Sequence, residues 1–138
     1  MSRHTYECRV RFSDVDIYRH VNNVKYFEYF QEARIAFMRD AGGVMGAADG
    51  AAVVVARMTV DYRRPILFRT EPYVIESWIS RIGRSSYEIS AEIKDGDTLL
   101  SRATAAMVAF DLGTQRSRPL SDPERAWMLQ AQDGLPAS

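Results

Sequence analysis

What this chain of 138 residues lacks narrows its class early. Cys8 is its only cysteine, so no disulfide can form within it, and a reducing, cytoplasmic setting is expected. His4 and His20 are the only histidines; with one thiol they make no cluster of zinc-ligand spacing, and no metal is expected. No apolar run approaches the roughly 20 residues a membrane span needs. The opening Met-Ser-Arg-His-Thr-Tyr-Glu has no apolar stretch of the secretory-signal type. Excess charge is missing too. Eighteen basic residues balance eighteen acidic ones, which removes the electrostatic footprint of a nucleic-acid or anionic-membrane binder. Lysine is scarce: Lys25 and Lys94 stand against 16 arginines. Alongside so much Ala and Gly this is the mark of GC-rich codon usage, although guanidinium groups also grip phosphate oxygens two at a time.

What is present suits one globular domain over residues 1–138, with 46% hydrophobic residues and no repeat, low-complexity tract or linker. From Thr5 to Phe12, Tyr6, Cys8, Val10 and Phe12 alternate with polar neighbours, the period of a half-buried strand. A polar stretch follows from Ser13 to Asn23. A helix is then predicted from Val24 to Ala41, with Tyr26, Phe30, Ala33, Phe37 and Ala41 on one face and Gly42 and Gly43 at its stop. After a small-residue connection from Val44 to Gly50, a long strand is expected from Ala51 to Arg63. Val54, Ala56, Met58, Val60 and Tyr62 share one face of it, and Arg64-Pro65 ends it. Strands over Pro72–Ile82 and Ser85–Lys94 turn at Gly83. The Asp95-Gly96 pair then marks a hairpin into a last strand, Thr98–Asp111, rich in Ala103, Ala105, Ala106 and Ala109 as a central strand under a close helix would be. Ser121-Asp122-Pro123-Glu124 has capping-box form, predicting a short helix over Asp122–Gln130, with the tail from Asp133 frayed. One sheet packed on one long helix is the simplest arrangement that buries both apolar faces, an α+β architecture.

Chemistry-bearing residues concentrate between the first strand and the helix, in Arg11-Phe12-Ser13-Asp14-Val15-Asp16-Ile17-Tyr18-Arg19-His20-Val21-Asn22-Asn23-Val24-Lys25-Tyr26. Two carboxylates, a histidine and two amides precede a helix N-terminus, whose unpaired N–H groups attract negative charge. A thioester under attack by oxygen develops that need, because its carbonyl becomes an oxyanion. Read from residue types alone, Asp14 or Asp16 is as well explained by an Asx-turn, Asn22 or Asn23 by the helix N-cap, and His20 by an ordinary loop hydrogen bond. Ser13 with His20 and Asp14 lacks the glycines of a nucleophile elbow.

The pattern D-x-D-x-x-x-H-V-N-N-x-x-Y, with Glu32-Ala33-Arg34 further on and the element order above, resembles the 4-hydroxybenzoyl-CoA thioesterase family of hot-dog proteins. The segment His20–Tyr26 is also similar to plant acyl-ACP thioesterases. The resemblance implies a hot-dog fold, five antiparallel strands around one central helix, and thioester hydrolysis. It implies Asp16 as the catalytic carboxylate, acting as nucleophile or general base, the backbone N–H of Asn23 as oxyanion donor, and His20 and Tyr26 as further members of the catalytic set. Tyr18 stands where the plant enzymes carry asparagine, so the likeness to them is incomplete. Glu28 and Glu32 are reserve carboxylates, since another hot-dog class uses a helix glutamate.

No separate cofactor is implied, coenzyme A being part of the substrate; an acyl carrier protein is the other possible carrier. Carrier phosphates need cations, and Arg81, Arg84 and Ser85 around Gly83, with Arg63 and Arg64 behind them, are the candidate group. The resemblance further implies a homodimer or homotetramer joined sheet edge to sheet edge, with Gly42–Ala52 near the acyl pocket. A non-catalytic acyl-CoA sensor and a hot-dog hydratase or dehydratase are the rival functions.

Overall fold

The computed structural model describes residues 3–42 and 50–132. Its element order is β1 (His4–Cys8), α1 (Asn23–Arg39), β2 (Ala51–Tyr62), β3 (Tyr73–Ile82), β4 (Ser86–Asp95), β5 (Thr98–Asp111), β6 (Arg116–Ser117) and α2 (Asp122–Ala131). The sheet runs β1-β3-β4-β5-β2, antiparallel throughout, and its inner face packs on α1. This is the hot-dog arrangement. The expected connection over 44–49 and the tail from Asp133 lie outside the described residues.

Helix α1 begins where Asn22 Oδ1 accepts the N–H of Val24 at 3.0 Å. It ends at Arg39, two residues before the predicted limit, and Gly42 follows in the left-handed region (φ 64°). Tyr26, Phe30, Ala33 and Phe37 are buried as their spacing requires, and Tyr29 is buried with them. Burying each large side chain contributes roughly 1.5–3 kcal/mol. The small side chains Ala103, Ala105 and Ala109 of β5 let the helix approach; Ala106 faces outward instead.

Three expectations fail for local reasons. Strand β1 stops at Cys8, because the Asp14 carboxylate accepts the Arg11 N–H at 3.0 Å and curls Phe12–Asp14 into a single 3-10 turn, leaving Phe12 73% exposed. In β2 the single apolar face does not exist. A bulge between Val55 and Arg57 reverses the alternation, so Val53 packs inward before it and Met58 and Val60 after it, while Val54 stays exposed. Finally, β6 adds a short sixth strand on β5 beyond the start of β4.

The C-terminal helix is held by a buried pair. Arg118 donates to Glu124 through Nη1 to Oε1 (2.8 Å) and Nη2 to Oε2 (2.9 Å), while Glu124 Oε1 caps the Ser121 N–H at 2.8 Å. Arg118 also donates to the carbonyls of Ala52 and Phe110, so one guanidinium ties α2 to both β2 and β5.

Candidate active site

The segment between β1 and α1 is a pinned loop. Val15 bridges Val21, His20 bridges Leu67, and the Val21 N–H donates to the Ile66 carbonyl at 2.8 Å. Within it, Asp16 N–H donates to the His20 carbonyl (2.9 Å) and Arg19 N–H to the Asp16 carbonyl (3.0 Å), with Arg19 in the left-handed region at φ 64°. Asp16 Oδ1 accepts two backbone N–H groups, from Tyr18 at 2.8 Å and His20 at 3.2 Å. The Asx-turn reading is therefore correct for this residue, and it does not compete with chemistry. One oxygen is immobilised by the loop, and Oδ2 has no partner among the described residues.

A cleft of about 260 Å³ opens at this point, lined by Asp16, His20, Val21, Asn23, Tyr26, Tyr62, Arg63, Arg64 and Pro65. The helix N-cap is Asn22, so Asn23 is the first helical residue and its N–H has no acceptor among the described residues. The His20 imidazole lines the cleft, tilted against the Tyr18 ring with centroids 6.3 Å apart. Tyr26 is a wall: its buried hydroxyl accepts the Ile66 N–H at 3.2 Å, and burial raises its pKa above the ordinary tyrosine value. Arg63 and Arg64 both direct their N–H groups to the Leu100 carbonyl at 3.0 Å, and their side chains line the cleft without ion pairs among the described residues.

Tyr62 is the residue that sequence reasoning missed. Its hydroxyl donates to the Asn23 carbonyl at 3.1 Å and its ring meets Tyr26 edge-on at 4.7 Å, joining the end of β2 to the helix start. Its place ahead of Arg63-Arg64-Pro65 was the available signal. Arg81, Arg84 and Ser85 do not line this cleft. Tyr62 is level with Ile75 through Ser101 and Ile93, so Arg81 lies six residues, roughly 20 Å, further along β3, with Arg84 and Ser85 beyond it, where the carbonyls of Ser85 and Arg84 accept the N–H groups of Ala109 and Leu120.

The first aspartate of the pair has a different environment. Asp14 is 1% exposed and accepts the Tyr29 hydroxyl, the Arg11 N–H and the Arg11 guanidinium. Burial opposes its charge, but these hydrogen bonds and the charge of Arg11 outweigh that cost and hold its carboxyl below the usual range. Glu28 and Glu32 open onto a separate groove between β1 and α1, and Glu28 is engaged with Lys25 and Arg11. Cys8 lines that groove, its thiol pushed up to about 12 by burial and the nearby Asp14 charge. Among the described residues no group of three His, Cys, Asp or Glu side chains is placed to hold a metal, and no helix is long and apolar enough to cross a membrane.

An antiparallel sheet around one helix agrees with what comparison with known proteins finds. The model of the Thioesterase-like superfamily matches residues 10–130, and the chain belongs to that superfamily. Fold and family together define a thioester hydrolase. Among its relatives, the long-chain acyl-CoA thioesterase FadM of Escherichia coli strain K12 is 28% identical over 127 residues, covering 90% of this chain and 96% of FadM. A thioesterase from Thermus thermophilus, crystallised with coenzyme A and zinc, is 27% identical with a TM-score of 0.77, over 93% of each chain. The fold alone is shared with a 1,4-dihydroxy-2-naphthoyl-CoA thioesterase from Synechocystis (TM-score 0.78, 18% identity, 91% of this chain and 94% of that one).

Proposed function

We propose that the chain hydrolyses acyl-CoA thioesters, with Asp16 as the reacting carboxylate. The observation that carries this reading is the division of that side chain: Oδ1 is fixed by two backbone donors while Oδ2 is left without a partner among the described residues, in a cleft that also contains the unpaired N–H of Asn23. A thioester carbonyl seated there would have a nucleophile or general base on one side and an oxyanion donor on the other. Asp16 either forms the C–O bond of a mixed anhydride, expelling the thiolate, or takes a proton from the water that attacks; His20 orients the carbonyl or that water. Arg63 and Arg64 supply charge for the carrier's phosphates. Arg81, Arg84 and Ser85 would meet the carrier only from a second subunit.

That second subunit is part of the reading. Strand β2 is a twelve-residue sheet edge carrying exposed Val54 and Val55, an arrangement that calls for a covering strand. A homodimer joined at β2, alone or paired into a tetramer, covers it and brings the partner to the cleft. The lone, buried Cys8 suits the reducing cytoplasm.

Thiol release from a panel of acyl-CoA, acyl-carrier-protein and acyl-pantetheine thioesters tests the proposal. Free thiol with acyl-CoA at saturable rates is the expected result. Tight binding without thiol release would instead mark an acyl-CoA sensor, and an absorbance change at an enoyl group would mark a hydratase.

A further inference from the structure

The turn that holds Asp16 also projects an apolar tip. The Arg19 N–H closes the turn on the Asp16 carbonyl at 3.0 Å, so Ile17 and Tyr18 are its two corner residues. Such corners are ordinarily filled by glycine, proline, asparagine, aspartate or serine, for which exposure costs little. Here they carry large apolar groups. Ile17 is 88% exposed, Tyr18 71% and nearby Phe12 73%, and every other exposed large apolar side chain among the described residues is less exposed than these three.

The tip is held outward. Asp16 Oδ1 fixes the Tyr18 and His20 N–H groups, and the bridge between Val15 and Val21 closes the loop behind them, so the corner residues cannot fold back onto the core. The connection from β2 to β3 widens the apolar surface. Exposed Leu67 bridges His20, the Phe68 N–H donates to the Arg19 carbonyl at 3.2 Å, and the Phe68 ring meets Phe12 edge-on with centroids 5.7 Å apart. Phe12, Ile17, Tyr18, Leu67 and Phe68 thus form one patch at the mouth of the cleft, and a continuous exposed apolar patch marks a contact surface.

Equal numbers of acids and bases over the chain conceal an uneven distribution at this end. Arg19, Arg63 and Arg64 are exposed and make no ion pair with any described residue. Of the two acids in the loop, Asp14 is buried against Arg11, which leaves Asp16 alone facing three guanidinium groups. The surface therefore suits an anionic partner, and its shape decides which kind. A convex tip offers a protein little of the roughly 800 Å² that each side of a standard interface supplies. A fluid lipid surface needs no matching pocket: apolar side chains enter at the headgroup boundary while arginines meet phosphates.

We propose that this tip docks the protein peripherally on an anionic lipid surface. Ile17 and Phe12 insert, Tyr18 sits at headgroup level, Arg19 meets lipid phosphates, and Arg63 and Arg64 add to the positive field. Docking in this way turns the mouth of the cleft toward the bilayer. The inference concerns the surface and stands whichever residue acts on the thioester.

Co-sedimentation of the full chain with vesicles tests it, using phosphatidylcholine alone and phosphatidylcholine mixed with phosphatidylglycerol. The wild type should partition onto the mixed vesicles, at least about tenfold more weakly onto phosphatidylcholine alone, and less as salt is added. Phe12→Ser/Ile17→Ser should lower partition onto the mixed vesicles about tenfold or more, and Arg19→Gln about fivefold. Absence of partition onto the mixed vesicles, or equal partition onto both kinds, overturns the proposal. So does unchanged partition in a double variant that circular dichroism shows to be folded. A double variant that keeps vesicle binding but loses binding to an acyl carrier protein, or changes only its sedimentation coefficient, overturns it as well, making the tip a protein contact.

Discussion

The Tyr29 hydroxyl donates to Asp14 Oδ2 at 2.6 Å, inside the protein and one turn of loop away from the cleft. This bond separates two aspartates that the sequence presents as a pair. Asp14 is consumed by Tyr29 and Arg11 and holds the base of the loop; Asp16 stands on the loop that Asp14 supports. The Asp14 carboxyl titrates below its unfolded value near 3.9. Its contribution to stability is therefore fully present above about pH 4 and is lost as pH falls through the lower folded value. Asp14→Asn should cost about 2–3 kcal/mol at neutral pH, and its loss of stability relative to wild type should shrink toward the acid end. Urea unfolding at a series of pH values checks both.

Arg19 occupies the left-handed region at φ 64° in the turn whose N–H groups hold Asp16. A side chain there costs roughly 1–2 kcal/mol that glycine does not. Arg19→Gly should be neutral or stabilising, whereas Arg19→Val should lower both the melting midpoint and kcat because it distorts the turn. Equal behaviour of the two variants would remove the turn from the account of the cleft.

Edge strand β2 exposes Val54 at 41% and Val55 at 45%. Placing a charge on such an edge is a known way to block strand addition. Val55→Lys should shift the protein toward monomer in sedimentation velocity, and thiol release should fall with the assembly. An unchanged sedimentation coefficient would show that β2 is not the joint.

Arg118 and Glu124 form the buried bidentate pair that fastens α2. Removing one partner of such a pair leaves the other charge buried, at a cost of about 3–5 kcal/mol. Arg118→Met should show this by denaturant unfolding. A cost under about 1 kcal/mol would mean that water reaches Glu124 freely.

Much of this structure was legible in the order of residues. The spacing of Tyr26, Phe30, Ala33 and Phe37 foretold the buried face of α1, and the Ser121–Glu124 pattern foretold the cap of α2. Asp16, His20, Asn23, Tyr26, Arg63 and Arg64, singled out from the sequence, line one cleft. What escaped was what alternation cannot encode. A bulge changes the facing of every residue after it by one unpaired position, so alternation alone puts Val54 on one face with Met58 and Val60 and cannot show which way Arg81 turns. Tyr29 lies on the same stripe, three residues after Tyr26 and four before Ala33, but the pattern could not show that its hydroxyl meets a partner fifteen residues earlier. Tyr62 escaped because its hydroxyl closes a contact thirty-nine residues distant.

The central claim concerns Asp16 Oδ2, the carboxylate oxygen that the loop leaves without a partner among the described residues. The most direct measurement is kcat for thiol release by Asp16→Asn beside the wild type, on the best acyl-CoA of the panel, with circular dichroism to establish folding. Asparagine keeps the shape and the Oδ1 contacts but removes the charge and basicity, so kcat should fall about a hundredfold or more while substrate binding stays nearly constant. A folded variant that releases thiol at the wild-type rate would contradict the assignment.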